Sequence, residues 1–145
     1  MLSHPTSKSY VIFLFASDVD LLTKQVIIKD NIYLLSSMMT WNIEFFDGVE
    51  EDILDMPAKI QARMIHLLEL IEVHGANLGS PHTEPMGDGL FEIRAKAQEG
   101  IGRCLYCYMK GQHIIVLHAF VKKSQKTPKK DLQLARSRQR EVERR

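Results

Sequence analysis

From residue 41 onward, the apolar positions follow two rhythms. Trp41, Ile43 and Phe45 alternate with their neighbours, the period-two pattern of a half-buried strand. A compact domain is therefore expected to begin at Met39. Val49, Ile53 and Met56 fall at i, i+4 and i+7 within residues 47–56, which predicts a short helix. Asp47 is placed as its N-cap, and Glu50, Glu51 and Asp52 suit its positive end. Pro57 ends that helix and opens the next. Ile60, Met64, Leu67, Leu68 and Ile71 mark one face of the second helix, and Gly75 closes it. The two helices form a hairpin.

Residues 76–89 are rich in Gly and Pro and predict a loop. Period two returns at residues 90–96, with Phe91, Ile93 and Ala95 on one face and Glu92, Arg94 and Lys96 on the other. A turn at 97–101 leads to a strand over 102–109. Lys110, Gly111 and Gln112 make a hairpin turn. Residues 113–121 are nearly all apolar, as expected of a strand buried on both faces. Thr127 and Pro128 form an N-cap and N1 pair that opens a last helix through Leu132, Ala135, Gln139 and Val142. The class is α+β: a small, antiparallel-rich four-stranded sheet, a helix hairpin on one face, and a C-terminal helix. The opposite sheet face is expected to be polar, with Arg94 and Lys96 emerging there.

Residues 1–38 lack this order and are expected to be a loosely attached extension, a product of start-site choice. Their run Tyr10 to Ala16 is far shorter than the roughly 20 residues that span a bilayer. With only Lys8 before it and no convincing cleavage site, it does not make a signal peptide. A cytoplasmic protein with no membrane contact is expected.

Composition alters the picture only through charge. The formal net charge is +1, but the charges are segregated. Residues 1–38 carry three bases and three acids. Residues 39–121 carry six bases and twelve acids, and residues 122–145 carry ten bases and three acids. An acidic body with a basic end points to a polyanion or an acidic partner. Cys104 and Cys107 spell C-x-x-C, but on a strand they face opposite sides, about 10 Å apart, too far for a disulfide. No second cysteine pair completes a zinc site, and no carboxylate–histidine cluster suggests another metal. No cofactor is expected.

The segment FEIR, the GxGR of the next strand, and HAFVKKSQKTP at the end of the meander together resemble the HigB/RelE-type toxins of bacterial type II toxin–antitoxin systems. The likeness falls in the phage-derived branch of the RelE/ParE superfamily and covers the chain from Met39 to the last helix. It implies a RelE-like fold and a toxin that enters the ribosomal A site and cuts mRNA. It also implies an antitoxin partner with a helix-turn-helix domain. The same fold carries gyrase-inhibiting toxins, and a relic that only binds an antitoxin is a third reading.

A metal-free ribonuclease needs a base for the 2′-hydroxyl, an acid for the leaving 5′-oxygen, and cations for the phosphoryl charge. The resemblance places Arg94 and Arg103 at the family's cationic positions, and a planar guanidinium suits phosphate. Lys122 and Lys123 are further catalytic candidates, since clustered cations lower a lysine pKa toward that of a base. Lys96, Lys126, Lys129 and Lys130 are candidates for backbone contact. His82 and His118 are the acid–base candidates, with His113 a third by residue type. The family's C-terminal tyrosine is absent, which leaves Phe120 or Tyr106 to stack on a base.

Overall fold

The computed structural model describes residues 40–124 and 126–145. The expected extension over residues 1–38 and the domain start at Met39 lie outside the described residues. The elements run β1 (Asn42–Phe45), α1 (Val49–Leu54), α2 (Ala58–His74), β2 (Thr83–Gly87), β3 (Leu90–Ala97), β4 (Gly100–Met109), β5 (His113–Lys122) and α3 (Lys129–Glu143). The sheet order is β1-β5-β4-β3-β2. β1 pairs with β5 in parallel, and β2 to β5 pair antiparallel.

The sheet thus has five strands where four are expected from the pattern. The additional strand is β2, inside the segment that predicts a loop. Pro85 and Gly87 hide it, because proline offers no ladder donor and glycine no side chain. An edge strand tolerates both, and the β2–β3 register shifts between Pro85 and Gly87.

The helix hairpin behaves as its periodicity demands. Ile60, Met64, Leu67, Leu68 and Ile71 are all buried and share one core with Phe91, Ile93, Ala95, Cys104, Tyr106, Ile114 and Val116. The α1 N-cap is Gly48 in a left-handed conformation rather than Asp47. Gly75 closes α2 at φ 101° and donates to the Ile71 carbonyl.

The opposite face is not left to polar side chains. α3 lies on it, packing Ala135 and Val142, with Leu132, against Leu90, Leu105, Cys107 and Leu117. Leu90, Leu105 and Cys107 reach this face by simple alternation, and a bulge adds Leu117. Leu105 pairs with His118, but Tyr106 pairs with Val116, so Leu117 is an extra residue in β5. Leu117 and His118 therefore both belong to the outer face.

Cys104 and Cys107 are free and buried, one in each apolar cluster. They face opposite sides of the sheet, as the strand reading requires. Burial pushes both thiols up, Cys107 from 9.0 to about 11. Native protein at neutral pH should therefore react with neither thiol within the time that denatured protein labels both, as mass spectrometry after brief iodoacetamide exposure would report. The neutral thiol favours the fold below pH 9.0. The contribution of Cys107 is lost as pH rises from there through about 11.

Candidate nucleic-acid interface

The register sets the outer face of the sheet as rows across three strands. Arg94 of β3 sits opposite Arg103 of β4, which sits opposite Phe120 of β5. One row over, Lys96 pairs with Ile101 and Ile101 with Lys122. On the other side, Glu92 pairs with Leu105 and Leu105 with His118. Strand alternation thus gathers Arg94, Lys96, Arg103, Lys122 and His118 on one face.

Two guanidinium groups directly opposite each other would repel. Glu92 resolves this from two residues away on the same strand face. Its Oε1 accepts from Arg94 Nε at 2.5 Å and from Arg103 Nη1 at 2.9 Å. Arg94 also meets Glu84 of β2 at 2.7 Å. Arg103 Nη1 donates to Thr127 Oγ1 at 2.7 Å, and Nη2 to the Ser124 carbonyl at 3.0 Å. The Thr127 hydroxyl donates in turn to Glu92 Oε2. Thr127 is therefore no helix cap: Pro128 occupies the cap position of α3, and the threonine side chain turns inward.

Arg103 and Glu92 are both 0% exposed, whereas Arg94 keeps part of its side chain in water. Two arginines and two glutamates make the cluster formally neutral. The uncompensated positive charge lies elsewhere. Lys123, Lys126, Lys129 and Lys130 are exposed in the β5–α3 connector and the first turn of α3, and Lys122 is half-buried beside them. Arg103 binds that connector through Ser124 and Thr127, so the lysines are brought to the arginine face of the sheet. Lys96 is exposed in the Lys122 row.

His118 is half-buried, with Nε2 2.7 Å from Asp131 Oδ1 in α3 and its ring stacked on Phe120 at 5.2 Å. His82 lies at the sheet edge, and its carbonyl accepts from the Arg94 amide at 3.0 Å. His113 stands apart at the far end of β5, near Glu44 and Asn42. Of the two stacking candidates, Tyr106 is 0% exposed and its hydroxyl donates to the Ala76 carbonyl. Phe120 is half-buried.

Not all of the basic C-terminal end faces solvent. Arg136 Nη2 donates to the Met86 carbonyl at 2.8 Å, and Arg138 Nη1 to the Leu117 carbonyl at 2.7 Å. Arg138 also lies over the Phe46 ring at 4.7 Å. These arginines fasten α3 to the sheet, while the connector lysines Lys123 and Lys126 stay exposed. Among the described residues, no group of three or more His, Cys, Asp or Glu could hold a metal ion. Within the same residues, no helix is long and apolar enough to cross a membrane.

The sequence allows Glu92 as a surface partner of Arg94 and Thr127 as a cap, but does not bring either of them to a buried Arg103. Glu92 offered a signal, an acid enclosed by Phe91 and Ile93 on a strand and sharing a face with Arg94. Thr127 offered none that separates a cap from a buried partner.

Residues 51–140, well over half the chain, match the model of the family described as "Phage derived protein Gp49-like (DUF891)". The chain belongs to this phage-derived Gp49-like family, a RelE/toxin-type family. Among solved structures, it is similar to the crystal structure of the toxin–antitoxin complex RelBE2 from Mycobacterium tuberculosis. That likeness has 15% identity and a TM-score of 0.44, covering 57% of this chain and 99% of that one. No curated protein matches the chain.

Proposed function

We propose that the chain is the toxin of a type II toxin–antitoxin pair and cuts mRNA on the ribosome without a metal ion. The observation that carries this reading is the lysine connector held against the arginine face of the sheet by Arg103. A chain with a surplus of exposed cations at one strand end is suited to a phosphate backbone.

In the proposed reaction, the 2′-oxygen of the ribose bonds to the adjacent phosphorus and the bond to the 5′-oxygen breaks. The proton leaves the 2′-hydroxyl for a base, and an acid supplies one to the departing 5′-oxygen. Arg94, Lys122 and Lys123 are assigned to the charge that develops on the phosphoryl oxygens. Lys96, Lys126, Lys129 and Lys130 are assigned to the flanking phosphates. His118, oriented by Asp131, and His82, at the edge beside Arg94, are the acid–base candidates. An antitoxin that neutralises this surface would need acidic groups over the connector, and a helix-turn-helix antitoxin is the proposed partner.

The test is induced expression of the full chain in cells without its antitoxin. Growth should stop, with cuts inside translated messages. Joint replacement Lys122→Ala and Lys123→Ala should lower cutting about a hundredfold or more. Arrest with a DNA-damage response and intact messages would assign the chain to gyrase inhibition instead. Normal growth would leave only antitoxin binding.

A further inference from the structure

A lysine helps to bind a polyanion only as far as the backbone beneath it is held. The ties between the connector and the sheet are polar and converge on one guanidinium. Arg103 reaches the Ser124 carbonyl and the Thr127 hydroxyl, and Thr127 closes the circuit on Glu92. These three side chains are buried, Arg103 and Glu92 completely. A buried ion pair contributes little net stability, because desolvation offsets its attraction. Its neutral sum, with Arg94 and Glu84, also gives it no long-range pull on phosphate. What it does supply is a fixed place for Ser124 and Thr127, which lie between Lys122 and Pro128.

We infer that Glu92, Arg103 and Thr127 are positioning residues, and that they clamp the connector so that Lys122, Lys123 and Lys126 meet phosphates in a set geometry. The inference rests on the nuclease reading above and deepens it. Arg103 acts through the connector and does not touch RNA. Releasing the clamp leaves every lysine charge in place but adds the cost of ordering the connector to each binding event.

The test compares full-length wild type with Thr127→Val, Thr127→Ser and Arg103→Gln. Binding of a short fluorescent single-stranded RNA is titrated over a range of salt, and hydrogen exchange is followed at residues 123–127. Thr127→Val keeps the side-chain shape and removes the hydroxyl. It should speed exchange in the connector and weaken RNA binding about tenfold. The slope of log affinity against log salt should stay at the wild-type value, because the same lysines meet the same phosphates. Thr127→Ser should restore both properties.

Arg103→Gln should likewise weaken binding with an unchanged slope. A slope reduced by about 0.7, the loss of one phosphate contact on a single strand, would overturn the inference in favour of direct contact. Wild-type exchange and affinity in Thr127→Val would overturn it as well, and that variant decides the matter even if Arg103→Gln does not fold. A wild-type chain that binds no RNA would sink the nuclease reading instead, and the exchange comparison would still decide whether the clamp exists.

Discussion

Glu92→Leu should destabilise the protein by about 3–5 kcal/mol, read as a shift in the urea midpoint with the slope unchanged. The carboxylate is completely buried and receives Arg94, Arg103 and Thr127. Removing it takes the Glu92 counter-charge away from the enclosed Arg103 and leaves two guanidinium groups opposite each other in the ladder. The partner substitution gives the sharper result. Glu92→Leu combined with Arg103→Met should recover most of the lost stability, since an apolar pair of similar volume avoids both desolvation costs. Additive losses in the double variant would mean that the two side chains do not act as a unit. Because the double variant also removes the clamp, it should fold well and still bind RNA poorly.

Gly102→Ala should have the next largest effect, about 1–3 kcal/mol of lost stability. A Cβ at this position would lie 2.4 Å from Ile60 Cγ2 and 3.3 Å from Met56 Sδ. The methionine can swing away. The Ile60 methyl cannot, because it branches from Cβ on a helix that is itself packed. The strand and α2 would have to separate. Ile60→Ala makes room, so it should cost less in the Gly102→Ala background than in wild type. Equal costs in the two backgrounds, measured by thermal unfolding, would show that α2 does not press on β4 at this point.

Much of this fold is legible in the chain because its helices and two of its strands obey one period each. The stripe from Ile60 to Ile71 marks the core side of α2 without ambiguity, and Phe91, Ile93 and Ala95 do the same for β3. The strand β2 is illegible for a local reason, since Pro85 and Gly87 carry turn chemistry into an edge position where it does little harm. The seat of α3 is illegible for a different one. Its stripe of Leu132, Ala135, Gln139 and Val142 predicts a helix, but β5 is apolar almost throughout. Nothing in that run says that Leu117 is a bulge or which face it serves. The site shares this difficulty. Arg94 and Arg103 are recognisable by type and position, yet the burial of Arg103 depends on cross-strand register and on a threonine 24 residues away. Residue type shows that a cation is present. Packing decides whether it meets solvent or supports the chain that does.

The extra residue at Leu117 also restricts how this stretch can change. Beyond it, every side chain of the strand points the way it does because of that single offset. If Leu117 were instead paired in a regular ladder, Phe120 and Lys122 would turn toward the helix hairpin and Ala119 would point outward. Which side of the sheet the end of β5 serves is therefore decided at one offset in its centre, while the lysine-bearing segment a few positions later is tied through its threonine to the buried glutamate.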